Sequence, residues 1–230
     1  MKLSVIVTCF NEKNTILKAI QEAQSLKMDK EIIIIDNYST DGSREILRNI
    51  DDDSVAIVFQ PKNYGFGESV KKGISLAKGE FAYVHYSDLE YNIECVYRML
   101  EVAEKESVDV VLGSRFYGKN IYERLQLTKK RPFYLGTLVT TFLINLFYGR
   151  KFTDIIGTRF YRMASFKKLS IKSSDIAFDF EVVSRLCKAG YRILEVPVLY
   201  KPRSSREGKK VKALDIIPAI KAIFKVKFLG

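Results

Sequence analysis

The chain of 230 residues has one histidine and three cysteines. Cys9, Cys95 and Cys187 stand far apart, with no metal-ligand spacing, and read as small core thiols in a reducing compartment. His85 falls inside an apolar run, where a packing role suits it better than catalysis. No Gly-x-Gly-x-x-Gly follows the first apolar run, and no Gly-Lys-Ser/Thr loop occurs. Those absences argue against a dinucleotide-binding dehydrogenase and a P-loop NTPase. Met1 to Phe10 show no signal-peptide layout. An uncharged run of 18 residues, Pro132 to Gly149, sits at the lower limit for crossing a bilayer. Its four Thr and Asn residues, two Tyr and two Gly argue against a true span. Lys129-Lys130-Arg131 and Arg150-Lys151 bracket it, so it reads as an interfacial helix or as a soluble helix packed on a sheet.

A composition of 47% hydrophobic and 28% charged residues is globular, and the length suits one domain. Charge divides the chain. Residues 1–114 hold 13 basic and 19 acidic side chains, a balance of −6, whereas residues 115–230 hold 25 and 8, a balance of +17. The second part therefore expects an anionic partner: a membrane surface, a phosphorylated substrate or nucleic acid. Nucleic acid is set aside, because no recognition module interleaves basic and aromatic residues.

Short apolar runs alternate with helical spacings. Strands are expected over Leu3 to Cys9, Glu31 to Ile35, Val55 to Gln60, Phe81 to His85 and Val108 to Leu112. Helices are expected over Thr15 to Leu26, Glu68 to Lys78 and Ile93 to Lys105. That alternation predicts βαβ units and a mostly parallel sheet. Gly118 to Thr128 reads as a polar loop. A strand follows Gly157, a helix covers Phe178 to Lys188, and a strand over Tyr191 to Tyr200 carries Pro197 at an edge or bulge. Lys201 to Lys212 is a basic loop. The terminal helix, Leu214 to Phe228, shows Ile216, Ile217, Ile220 and Phe224 on one face with Lys221 and Lys225 opposite, which suits an anionic membrane or a docking role.

Polar clusters end the first, second and fourth strands, on the edge where open α/β sheets bind ligands. In Tyr86-Ser87-Asp88-Leu89-Glu90, two carboxylates stand two residues apart just past an apolar strand. Hard oxygen ligands so placed suit Mg²⁺ or Mn²⁺ between protein and an anionic ligand. The alternative is that Asp88 and Glu90 occupy the first turn of the next helix.

From Leu3 to about Lys210 the chain resembles the family 2 glycosyltransferases of GT-A fold, nearest the polyprenyl-phosphate (dolichyl-phosphate) sugar synthases. The resemblance rests on Val5 to Glu12, on Asp36 to Ser43, and on Asn63, Gly65 and Gly67. It continues through Tyr86-Ser87-Asp88 at an Asp-x-Asp position, Gly113-Ser114-Arg115, Lys129-Lys130-Arg131, Asp154 to Arg162, and Glu195-Val196-Pro197-Val198 with Arg203, Gly208, Lys209 and Lys210. Tyr86 replaces the first acid of the metal motif, and Asn37 stands where the family usually has Asp. Tyr86 also leaves room for a metal-independent member or a non-catalytic nucleotide-sugar binder.

The resemblance implies an inverting transfer from a nucleotide-diphosphate sugar, with guanosine or uridine both open, to a polyprenyl or dolichyl phosphate. The protein would work peripherally on the cytoplasmic side of a membrane. Thr8, Phe10, Asn11, Glu12, Asp36, Asn37, Ser39, Asn63, Gly67 and Asp88 would bind the donor, and Asp88 and Glu90 the Mg²⁺ or Mn²⁺. Arg115, Arg131, Arg203, Lys209 and Lys210 would hold the acceptor phosphate. With Asp88, the arginines Arg115 and Arg131 would carry the chemistry. Residues 1–114 would form the donor part of one domain, 115–212 the acceptor part and 213–230 an amphipathic helix. If the acceptor is instead a glycan hydroxyl, Asp179 or Asp154 would take its proton.

Overall fold

The computed structural model describes residues 1–131, 134–203 and 213–229. Continuous apolar runs become strands: β1 (Leu3–Cys9), β2 (Lys30–Asp36), β4 (Phe81–Tyr86) and β5 (Val110–Ser114), buried on both faces over most of their length, and the half-buried edge strand β3 (Val55–Phe59). Two further strands, β6 (Arg159–Arg162) and β7 (Ile193–Pro197), complete a seven-stranded sheet of order β3-β2-β1-β4-β6-β5-β7. β6 runs antiparallel to both its neighbours, and the other pairings are parallel. β7 is an edge strand that ends on Pro197, where a missing N–H costs no ladder bond.

The two-residue period of the strands sorts the core into two layers. Val5, Val7, Ile34 and Tyr83 face α1 (Ile16–Ser25), α2 (Ser43–Arg48) and α4 (Cys95–Lys105). Ile6, Ile33, Ile35 and Val84 face α3 (Phe66–Leu76), α6 (Tyr134–Tyr148), α8 (Phe178–Lys188) and α9 (Ile216–Leu229). His85 is buried on the first of these faces, 3.6 Å from Glu22, and burial lowers its pKa to about 4.

Three local expectations are corrected. Residues expected as a polar loop form α5 (Ile121–Lys130), started by a capping box in which Asn120 and Glu123 each accept from the other's backbone N–H. The polar composition hid the helix, but the Asn-x-x-Glu spacing was its signal. Asp88 and Glu90 do not open α4, which begins at Cys95. In α9 the buried face is Ala219, Ala222, Ile223 and Val226, because small alanines let the helix lie close on α8, while Ile217 and Phe224 stay exposed. α7 is a single turn, Met163–Phe166. None of the described helices is long and apolar enough to cross a membrane.

Candidate functional site

A cavity of about 350 Å³ opens at the carboxyl ends of β1, β2 and β4. The residues that follow these strands, Asn11, Tyr38 and Leu89, all have left-handed φ (52°, 67° and 57°). Such backbone is costly for non-glycine residues and concentrates at sites where geometry matters. Eight of the expected residues meet in the cavity wall: Thr8, Phe10, Glu12, Asn37, Asn63, Asp88, Glu90 and Arg203.

One end carries two amides, Asn37 and Asn63. Asn37 donates from Nδ2 to Asn63 Oδ1 at 2.9 Å and accepts from Tyr64 N–H, also at 2.9 Å. Asn11, Ser39 and Asp36 support this end from behind rather than line it. Ser39 Oγ accepts from Asn11 N–H, Asn11 Oδ1 accepts from Thr40 N–H, and buried Asp36 pairs with Arg44 at 3.1 Å. Gly67 also lies outside the wall. A Cβ there would come within 2.7 Å of Phe178, so its missing side chain serves helix packing. Gly65 is the glycine in the wall, at φ +93° and packed so closely that a Cβ would lie 2.3 Å from Ser174 O.

Among the described residues, the other end gathers three carboxylates round the Arg203 guanidinium. Arg203 forks onto Glu12 at 2.8 and 3.0 Å, reaches 3.8 Å from Asp88, and donates its backbone N–H to Glu90 at 2.8 Å. The other Glu90 oxygen accepts from Tyr200 Oη–H at 2.7 Å. Burial, and then the charge of Glu90, push the Asp88 carboxyl up to about 6. Burial opposes the charge on Arg203, but Glu12 and its neighbours hold its pKa above the ordinary value.

These donors decide what cation could bind. Asp88 fits a hard divalent ion: it lines the cavity and offers carboxylate oxygens, the donors such an ion takes. Mg²⁺ needs few protein carboxylates when substrate phosphates and water complete its shell. Glu90, two residues on in the same wall, accepts one hydrogen bond on each oxygen from the described residues, which leaves a lone pair on each for the same ion. Among the described residues no three His, Cys, Asp or Glu side chains group as a metal site.

Tyr86, in the place of the first acid, lines the cavity and accepts from Arg159 Nη1 at 3.0 Å. Fully buried Arg159 also pairs with Asp179 at 2.9 Å, directly behind Tyr86. Burial raises the Asp179 pKa, and Arg159 partly offsets that. Asp179 thus stands close behind the wall, already paired.

Arg115 lies outside the cavity wall. Its guanidinium is spent on buried Asp154, at 2.6 and 2.9 Å, and lies over the rings of Tyr134 and Tyr200. Asp154, held well below the usual carboxylate range by Arg115 against the cost of its burial, is not poised as a base either. Arg131 caps the C-terminal end of α5 and is not in the wall. Lys209 and Lys210 lie outside the described residues. Asp175 and Ile176, which reach the wall from the irregular segment before α8, and Phe66 and Ser69, on the first turn of α3, carry no motif that marks them.

Residues 4–170 match the glycosyl transferase family 2. The chain belongs to that family. It is 23% identical over 205 residues to the low-salt glycan biosynthesis hexosyltransferase Agl6 of Haloferax volcanii, covering 87% of this chain and 48% of that protein. It is 35% identical over 201 residues to the cholesterol galactosyltransferase of Borreliella burgdorferi, covering 77% and 52%. The chain thus spans about half the length of these curated relatives. Among solved structures, glucosyl-3-phosphoglycerate synthase of Mycobacterium tuberculosis, in complex with Mn²⁺, UDP-glucose and phosphoglyceric acid, superposes with a TM-score of 0.66 at 16% identity, over 100% of this chain and 80% of that one. The fold is GT-A.

Proposed function

We propose that this protein transfers a sugar from a nucleotide-diphosphate donor to a polyprenyl or dolichyl phosphate, peripherally on the cytoplasmic face of a membrane. The observation that carries the donor reading is the charge layout of the cavity. Asn37 and Asn63 suit a neutral base at one end, and Glu12, Asp88, Glu90 and Arg203 suit a diphosphate with its counter-cation at the other. Asp88 would hold a Mg²⁺ or Mn²⁺, which would offset charge on the departing diphosphate. Arg203, released from Glu12, is the described basic group placed to meet a phosphate.

The acceptor reading draws on different features. A lipid phosphate is already ionised and needs no base, and the two carboxylates that could serve a hydroxyl are both tied up, Asp179 by Arg159 and Asp154 by Arg115. α6 and α9 together turn Phe142, Leu146, Ile217 and Phe228 outward, with Lys221 and Lys225 on the same terminal helix. Such a surface suits a bilayer with anionic headgroups.

Incubation with labelled UDP- and GDP-sugars and polyprenyl phosphate in detergent, with Mg²⁺ or Mn²⁺ and then with a chelator, tests both parts. A chelator-sensitive glycolipid is the expected product. Bound nucleotide without any glycolipid would sink the acceptor reading.

A hydroxyl acceptor is the second reading, supported by the relative that is a cholesterol galactosyltransferase. Asp179, its pKa raised by burial behind Tyr86, would then be the base once Arg159 lets it go. Loss of transfer in Asp179→Asn at unchanged donor binding would favour this reading.

A further inference from the structure

A smaller cavity, of about 160 Å³, lies between α8, α9 and the segment that leads into α8. Ala222 and Val226 of α9 form its apolar wall. Three cations stand round it, Lys172, Arg185 and Lys225, against one carboxylate, Glu181. That carboxylate is already spent. Glu181, 4% exposed, accepts from the backbone N–H groups of Lys172 and Ser173 at 3.1 and 2.7 Å and from Arg185 Nε at 2.7 Å. It therefore holds Arg185 by one edge of its guanidinium. Among the described residues neither Arg185 Nη, nor Lys172 Nζ, nor Lys225 Nζ has a hydrogen-bond or ion-pair partner. Cations gathered round a cavity in this way repel one another, and an anion between them relieves that cost.

The setting says which anion. On α9 each residue turns by about 100°. Ile217, Phe224 and Phe228 therefore fall within about 40° of one another, and all three are exposed. Lys225 lies about 100° round from Phe224, so the cavity opens on the flank of that apolar stripe. A phosphate held there would sit beside a surface that favours hydrocarbon. Both preferences belong to one kind of molecule, a phospholipid, with its phosphate at the cations and its chains beside the phenylalanines.

We propose that the cavity between α8 and α9 seats the phosphate of an anionic membrane phospholipid, held by the Arg185 guanidinium and the Lys172 and Lys225 ammonium groups. This rests on the reading of the protein as a peripheral membrane enzyme and adds a defined headgroup site to it. One short segment ties the seat to the donor cavity: Lys172 and Ser173 line the first, Asp175 and Ile176 the second. The two residues from Ser173 to Asp175 span at most about 7 Å. A headgroup held at Ser173 thus keeps the wall of the donor cavity at the membrane surface.

The test is sedimentation of the whole chain with vesicles of phosphatidylcholine, with and without phosphatidylglycerol. Binding should require phosphatidylglycerol. General attraction to an anionic surface is worth about fivefold per basic residue and treats arginine and lysine alike. A seat does not, because a guanidinium can meet Glu181 and a phosphate with separate N–H groups at once. Arg185→Lys keeps the charge and should still weaken binding at least about tenfold. Lys225→Ala alters an exposed side chain, so it carries the test if the first variant folds poorly. It should also cost at least about tenfold, whereas Lys221→Ala, on the same helix but outside the cavity, should cost no more than about fivefold. Arg185→Lys binding like the wild type, or Lys225→Ala binding no more weakly than Lys221→Ala, would overturn the seat in favour of a diffuse basic surface. Calorimetric titration with inorganic phosphate separates the sources. Phosphate binding that Lys225→Ala abolishes, with no preference for anionic vesicles, would overturn the lipid as its source. No binding to either vesicle would overturn the peripheral reading as well, and sugar transfer in detergent remains a separate measurement.

Discussion

The two sides of the sheet treat their polar groups differently. At the ends of β5 and β7, polar side chains satisfy one another: Arg115 forks onto Asp154, and Glu195 accepts from the backbone N–H groups of Thr153 and Asp154. At the ends of β1, β2 and β4, among the described residues, Glu12, Asp88 and Glu90 crowd round Arg203, and Asp88 is held at a raised pKa. Buried charges that are matched internally hold a fold together. Like charges crowded at a cavity wall cost stability and are kept where a ligand uses them.

Substitutions can break that contrast. The largest effect is expected on the matched side. Asp154→Ala would leave buried Arg115 without its carboxylate and should cost about 3–5 kcal/mol in denaturant unfolding. A cost under about 1 kcal/mol would show that Arg115 readily finds another partner. On the crowded side, Asp88→Asn should leave a folded protein whose sugar transfer falls about 10²–10³-fold, a loss of the order seen when one electrostatic stabiliser is removed. Transfer at the original rate would remove Asp88 from the chemistry.

The same substitution has a pH signature that sharpens the contrast. The folded-state pKa of Asp88 is about 6, above its ordinary 3.8, because of burial and Glu90. The folded protein therefore binds the proton more tightly than the unfolded chain does. Stability from that proton is present in full below about pH 4 and is lost as pH rises through 6. Asp88→Asn should thus gain on the order of 2 kcal/mol at pH 8 relative to its effect at pH 4, read by melting at both values. A gain at pH 4 instead would reverse the assignment. The smallest effect lies far from either cluster. Asn120→Ala removes the cap of α5 and should cost about 1 kcal/mol with no change in donor binding.

Much of the donor side was legible because it is local. Apolar runs too continuous for a one-sided sheet gave β1, β2 and β4, and the polar residues just beyond them, Glu12, Asn37 and Asp88, had to share an edge once the connections were βαβ. What escaped was set at long range. Arg203 meets Glu12 across 191 positions, and Glu90 finds Tyr200 across 110. No spacing within one element encodes such a pair. Arg115 was assigned outward by motif, but its partner Asp154 lies 39 positions on, in a turn whose course depends on β6. In α9 the apolar residues surround the helix, so periodicity could not say which of them the alanines would carry inward.

Strand β6 has one more consequence, for how the molecule comes together. β4 and β5 are not neighbours in the sheet; the four residues Arg159–Arg162 are the seam between the two blocks, paired to Phe81–Tyr83 on one side and Val110–Leu112 on the other. A sheet that grew strand by strand would join these blocks early. Here a strand from later in the chain, beyond α5 and α6, lies between them, so joining the blocks requires closing a long stretch of chain, which non-local topology makes slow. Its register must also be right the first time. A slip of one residue would carry Arg159 to the opposite face and leave Tyr86 and Asp179 without the guanidinium that joins them.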